Sequence, residues 1–398
     1  MFEPLNLNSV WDFLFNSKKI LSRGRYPWID YARGICIILV CYRHIFGGVM
    51  TEDKNLDDYP VFQYINIFFF SFRMPLFFIV SGIFFRLSLA GKGTGNFLKN
   101  RFQTIFYPLV VWGCIHITLQ LIFADYVNAN RQSSDYFKLL YQPRSIEQFW
   151  YLNALFFVSV LYALVSVYGK FNALKQLVLG VFLYAAAGYL HIKEIEAGLI
   201  TDVFFFYFFF AVGDAASSVM LNPENFKKIA SYATLLLILP VFLLLQHYFT
   251  YLNMSNKNDY YVQNNQPALF AVSALVGGAF VICVSFLLQK ADKARFLRVI
   301  GYHSLYIYVT NLMVTAATRI IMVRVFGIDN VPVLLLTGTI TGIVIPIIFY
   351  NLAMKAGAWW LFTLRKPMGE TSKLSVVEKS PAFNASMAKK IIQKETSN

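Results

Sequence analysis

The stretch Trp28-Ile29-Asp30-Tyr31-Ala32-Arg33-Gly34-Ile35-Cys36-Ile37-Ile38-Leu39-Val40-Cys41-Tyr42-Arg43-His44 decides how this chain folds. Its apolar run continues to about residue 49, long enough for a helix across a bilayer, which takes about 20 mostly apolar residues for about 30 Å of hydrocarbon. Ionisable groups in such a run cost several kcal/mol and are functional suspects by default. From Arg33 to His44 a helix turns about 1100°, roughly 20° past three full turns, so both side chains share one face. The rise between them is about 16 Å. Asp30, three residues before Arg33, is placed to pair with it. One face therefore carries a carboxylate, a fixed cation and a titratable imidazole. A lone histidine in a membrane helix is commonly structural; this stacked set points to chemistry.

Composition extends the same reading to the whole chain. Of 398 residues, 57% are hydrophobic, 18% aromatic and only 14% charged, against about 25% charged in soluble domains. The mean hydropathy is +0.53. Disorder, coiled coil, collagen and an ordinary soluble enzyme are excluded. A net charge of +14 would suit nucleic acid if the basic residues gathered on one soluble face. They lie between apolar runs instead, so no nucleic-acid partner is expected. Cys36, Cys41, Cys114 and Cys283 sit in apolar stretches without metal or redox spacing, so neither a metal site nor a disulfide framework is expected. Residues 1–27 lack the continuous apolar core and small-residue site of a cleaved signal.

Ten apolar runs are candidates for spans, near 29–49, 61–86, 104–124, 149–169, 173–191, 200–218, 230–249, 267–288, 301–325 and 333–354. With the N-terminus in the cytoplasm, 24 Lys and Arg fall inside and 6 outside, with five within spans. That asymmetry is what the positive-inside rule demands. The expectation is an all-α, polytopic bundle of about ten transmembrane helices with both termini cytoplasmic, in the cytoplasmic (inner or plasma) membrane. Residues 1–27 form a cytoplasmic or interfacial segment: Trp11, Phe13, Leu14, Phe15, Ile20 and Leu21 beside Lys18 and Lys19 fit either an interfacial helix or a partly ordered leader. Residues 28–355 form the membrane domain. Residues 356–398 form a cytoplasmic tail, Ser/Lys-rich and disordered in character beyond Pro367. The longest loop, Asp125 to Gln148, is polar and suits a small cap. No internal repeat is evident, which weighs against an inverted-repeat transporter.

Other intramembrane polar residues divide by depth. Arg319 and Arg324 fall near the outer end of the ninth run, where snorkelling accounts for them. Asp214 lies near the inner end of the sixth, a structural position. His116 has Gln120 one turn on, which reads as a satisfied polar pair. Arg73 lies near mid-span in Phe72-Arg73-Met74-Pro75-Leu76-Phe77-Phe78-Ile79-Val80-Ser81-Gly82, too deep to reach water, and needs a polar cavity or an anion. Pro75 frees a backbone carbonyl and should kink the helix, and Ser81-Gly82 allows close helix approach.

These blocks resemble those of the acyltransferase 3 group of integral membrane O-acyltransferases. Ile29 to Cys36 followed by His44 is similar to the family's L-D-x-x-R-G-x-A and later His, with ten residues between Arg33 and His44. The second block resembles F-H-M-P-L-F-F-x-x-S-G, with Arg73 in place of the His. Arg101 and Pro108 match R-x-x-R-x-x-x-P, with Thr104 for the second Arg. Phe149-Trp150-Tyr151-Leu152 is similar to a W-F-L span opening. Gly301-Tyr302-His303-Ser304-Leu305-Tyr306-Ile307-Tyr308 resembles G-x-x-S-L-x-I-Y, with Asn311 where a His is common. The resemblance covers about 28–355.

It implies a ten-span enzyme that moves acyl groups, usually acetyl, from an acyl-coenzyme A onto hydroxyls of extracytoplasmic glycans or lipid-linked sugars. His44 is then the catalytic base or a covalent acyl carrier. Arg33 binds a coenzyme A phosphate or stabilises the oxyanion. Arg73, Lys99 and Arg101 are further donor-binding candidates, although Lys99 and Arg101 also suit anchoring at the inner surface. Asp30, Ser81 and Trp150 support the site, and acetyl-coenzyme A or another acyl-coenzyme A is the expected donor. A transporter or flippase for an anionic, glycan-related substrate is the rival reading, and a scaffold for glycan assembly the third.

Overall fold

The computed structural model describes residues 7–22, 26–50, 58–126 and 129–365. Ten helical segments are long and apolar enough to cross a membrane. They are α1 (Pro27–Met50), α2 (Pro60–Lys92), α3 (Thr94–Ile122), α4 (Pro143–Tyr168), α5 (Ala173–Ile192), α6 (Leu199–Met220), α7 (Tyr232–Ser255), α8 (Pro267–Ala291), α9 (Ser304–Val325) and α10 (Val331–Lys355). No strand occurs among the described residues. A bilayer dictates this solution, because buried backbone polar groups with no water available must pair within their own helix. The fold is the all-α polytopic bundle that the apolar runs predict. The largest departure is between α2 and α3, whose helices run on to Lys92 and from Thr94 beyond the apolar limits at 86 and 104.

Helix α1 is the hub, packing on α8, α9, α10 and α2, while α2 packs in turn on α6 and α8. Two crossings depend on glycine. A methyl on Gly34 would overlap the Leu297 carbonyl, and one on Gly82 the Phe210 carbonyl. The R-G and S-G pairs thus let α1 meet the helix Phe296–Tyr302, and α2 meet α6, backbone to backbone. By contrast, α5 and α7 leave Phe182, Leu237 and Leu244 exposed, as a lipid-facing surface requires.

Several segments depart from regular helix. In α2 the helix is continuous from Phe70 to Ile83 around Pro75, and the interruption falls at Phe69. Proline removes the bond to the Ser71 carbonyl and crowds that turn, so the chain yields just before it rather than at the expected kink. Wider π turns occupy Phe102–Phe106 in α3 and Ile321–Val325 in α9. Residues 143–149 enter α4 irregularly, with Glu147 at φ 51° and ψ −118°.

The helices that precede α1 meet the end of α10 on one face of the bundle. Helices Leu7–Phe15 and Ser17–Leu21 precede α1, with Trp11 and Phe13 exposed and Phe15 buried. Lys355 Nζ donates to the Phe13 carbonyl at 2.6 Å and Asn351 Nδ2 to that of Leu14 at 2.9 Å. After α10, Phe362 is buried against Tyr350 and Trp112. The Ser/Lys-rich tail beyond Pro367, and Arg23, Arg25 and Lys54 of the charge pattern, lie outside the described residues.

Candidate active site

A cavity of about 950 Å³ opens inside the bundle between α1, α2, α3 and α9, roofed by residues from the 126–148 loop and by Tyr260 and Gln263. Helix α1 presents Arg43 and His44 to it, α2 presents Arg73, and α9 presents Tyr308 and Arg319. The charged and titratable groups acting on His44 are Arg73, Arg43, Glu147 and His116. The loop 129–149 forms the expected cap. Its helix Asp135–Tyr141 buries Leu139 against Gly113, and Asn153 Nδ2 donates to the carbonyls of Leu139 and Leu140 at 2.9 and 3.1 Å.

The α1–α2 wall is a chain of polar contacts. Arg43 Nη1 pairs with Asp259 Oδ2 at 2.7 Å, and Asn66 Nδ2 donates to the same oxygen at 3.3 Å. Arg73, 3% exposed, donates to Asn66 Oδ1 at 3.4 Å and to the Leu39 carbonyl at 3.5 Å, with its guanidinium 4.9 Å from the Phe70 ring centre. Its hydrogen-bond partners among the described residues are neutral, with Asp259 and Tyr260 within electrostatic reach, so the polar cavity that its depth demands is present. Burial pushes the Tyr260 hydroxyl up, and the surrounding cations Arg43, Arg144 and Arg73 outweigh that, so it titrates below the ordinary tyrosine value.

The α3–α4 wall differs from the sequence expectation. His116 pairs with Glu147, its Nε2 2.6 Å from Oε2, while Gln120 serves the same carboxylate at 3.2 and 3.3 Å. Arg131 Nη2 holds the other carboxylate oxygen at 2.8 Å. A carboxylate from the loop has captured both members of the expected His–Gln pair. Arg144 bonds Asp202 through Nε at 2.8 Å and lies 4.5 Å over Trp150, which also lines the cavity. Arg319 is corrected as well: it is 3% exposed and donates to the Gly48 carbonyl at 2.8 Å, facing inward, whereas Arg324 is exposed beside Tyr126.

The remaining candidates do not line this cavity. Arg33 and Arg101 lie within electrostatic reach of each other and of Tyr151. Arg101 stacks 4.9 Å over Phe97, and Lys99 is exposed. Asp30 is buried at the start of α1, and Ser81 is buried beside the Gly82 crossing. Tyr151 separates the two groups: its ring packs on Phe77, Phe78 and Tyr308, and Tyr308 reaches the cavity. Asn311 is fully buried, and neither of its amide atoms has a partner among the described residues. The sequence reading missed Glu147, Arg144 and Tyr260. The only available signal was a carboxylate and a cation directly before the Trp-Tyr-Leu block. Among the described residues no three His, Cys, Asp or Glu gather to hold a metal ion.

Ten apolar helices around an internal, cation-rich cavity with two histidines define a multi-pass membrane protein with its polar machinery inside the bundle. The family model described as "Acyltransferase domain" matches residues 26–351, and the chain belongs to this family, acyltransferase 3. It is also similar to the "Inner membrane protein YcfT" of Escherichia coli (strain K12), 32% identical over 93 residues, covering 21% of this chain. The matched stretch spans 25% of that relative's length. No solved structure matches.

Proposed function

We propose that this membrane acyltransferase transfers an acyl group, acetyl foremost, from a cytoplasmic acyl-coenzyme A to a hydroxyl of an extracytoplasmic or lipid-linked glycan. The observation that carries the reading is the placement of His44 in the cavity, with Arg33 and Arg101 one aromatic layer away. The cavity's volume of about 950 Å³ lies in the range of small-molecule sites. Arg33, Arg101 and exposed Lys99 suit the phosphates of the donor, because guanidinium groups stay charged and bind phosphate through paired N–H groups. The pantetheine arm then has about 16 Å of helix rise to cover towards His44, past Tyr151. At His44 an imidazole handles the proton of transfer or carries the acyl group itself. Arg73, facing the same space, stabilises the oxyanion of the tetrahedral intermediate or an anionic substrate group.

The test uses membrane vesicles carrying the full chain, acetyl-coenzyme A labelled in the acetyl group, and native glycans. The expected result is alkali-labile label on the glycan, lost in His44→Ala and in Arg33→Ala. Label transfer unchanged in both variants overturns the site assignment. Transport of an anionic glycan precursor without donor consumption supports the transporter reading instead.

A further inference from the structure

His116 and Glu147 are not needed by the scheme above, yet both line the cavity with His44. The Nε2–H of His116 donates to Glu147 Oε2 at 2.6 Å. In the neutral imidazole a carboxylate at Nε2 fixes the proton there, and Nδ1 then carries the lone pair. That Nδ1 is buried and has no hydrogen-bond partner among the described residues. Glu147 is itself fixed by Arg131 Nη2 at 2.8 Å and by Gln120. Its backbone, at φ 51° and ψ −118°, occupies a region that favours glycine, and such strain persists where the surroundings impose it and clusters at active sites. A brace between α3 and the cap accounts for part of this. Arg131, bonded also to Gln120 Oε1 at 2.7 Å and to the Ser145 carbonyl at 2.7 Å, already supplies that brace. A brace also leaves no reason for a buried imidazole nitrogen without a partner.

We propose that His116, oriented by Glu147, is the general base for the acceptor hydroxyl, with His44 serving the donor. The proposal rests on the acyltransferase reading of the same cavity. The acceptor oxygen attacks the acyl carbonyl carbon and forms the new ester bond, while its proton passes to Nδ1 of His116. The carbon–sulfur bond breaks, and the departing thiolate takes up that proton, relayed from His116 through the His44 imidazole. His116 and His44 thereby end in the states in which they began, so each turnover converts one thioester and one alcohol into one ester and one thiol. His116 is the catalytic residue here and Glu147 the positioning residue.

The test exploits a nucleophile that needs no base. Vesicles carrying the full chain receive labelled acetyl-coenzyme A, with either native glycans or hydroxylamine as acceptor. In His116→Gln, label transfer to glycan is expected to fall about 100-fold in kcat, with KM for acetyl-coenzyme A within about threefold. Acetohydroxamate formation should persist in that variant and be lost in His44→Ala. Glu147→Gln is expected to lower glycan transfer about tenfold, with partial recovery in Glu147→Asp. Glycan transfer at the wild-type rate in His116→Gln overturns the proposal. So does loss of hydroxamate formation together with glycan transfer in both His116→Gln and Glu147→Gln, when both elute as folded protein in detergent. Wild-type vesicles that release no thiol and form no hydroxamate from acetyl-, propionyl- or succinyl-coenzyme A overturn the acyltransferase reading itself.

Discussion

Two buried polar clusters in this bundle are built from the same residue types and end differently. On α6, Asp214 Oδ2 accepts from Tyr162 at 2.7 Å and from Arg86 Nε at 3.1 Å, and the same Nε forms an ion pair with Oδ1 at 2.9 Å. Aromatic rings close around it, with Phe85 and Phe210 each 4.8 Å from Tyr162. The cavity does not reach it. Around His44, the Nδ1 of His116 and Oε1 of Gln148 lack partners among the described residues, and Arg73 hydrogen-bonds only to neutral groups. Burial is common to both. A carboxylate matched to its cation inside solid packing is a structural tie, whereas polar groups left without protein partners on residues that line a cavity are arranged for something that enters it.

The largest effect that separates the two clusters is on chemistry. His44→Ala is expected to lower acyl transfer about 1,000-fold while leaving thermal stability in detergent near that of the wild type. Unfolding of this variant, or unchanged transfer, breaks the distinction. Asp214→Ala should do the reverse, costing about 3 kcal/mol of stability because the Arg86 charge loses its partner. Thermal unfolding measures that loss, and activity per folded molecule should hold. Arg73→Gln sharpens the contrast further. Removing a buried guanidinium that hydrogen-bonds only to neutral groups and is repelled by Arg43 should raise the melting temperature slightly. It should also weaken transfer by about 2 kcal/mol, roughly thirtyfold, through a lost charge-assisted contact to substrate or oxyanion. A melting temperature that falls as far as in Asp214→Ala places Arg73 with the structural ties.

The bundle was legible because hydrophobicity along a chain reports directly on a bilayer, and because an 11-residue separation places two side chains on one face whatever surrounds them. His44 and Arg73 were legible for that reason, and both line the cavity. Separation along one helix does not say what faces each residue from other helices. His44 lines the cavity and Arg33 does not, lying instead near Tyr151, whose ring packs on Tyr308 at the cavity wall. His116 was assigned the wrong partner because Glu147 is 31 residues away, on a loop whose path no periodicity describes. Arg319 reads as a snorkelling side chain by depth alone, and the Gly48 carbonyl on α1 holds it inward.

The cap offers the smallest effect, and its charges behave like the Asp214 tie although they lie outside the membrane helices. Asp135 is buried, with Lys138 Nζ at 2.8 Å, the Gln132 N–H at 3.2 Å and Arg131 at 3.8 Å. The Lys138 hydrogen bond is the largest influence and, with the Gln132 N–H, outweighs burial, so the carboxyl titrates below 3.8. A pKa depressed on folding stabilises the cap fully above the unfolded value, about 3.9, and this contribution fades as pH falls through the lower folded value. Amide exchange across residues 129–142 should therefore be flat from about pH 7 to about pH 5 after correction for intrinsic rates, with protection dropping only below about pH 4. Asp135→Asn should remove that drop while acyl transfer at neutral pH stays near the wild-type rate. A change in transfer as large as that of Arg73→Gln would mean that the roof's charges act on the cavity's chemistry, and the separation between structural ties and reactive groups would then fail at the cap.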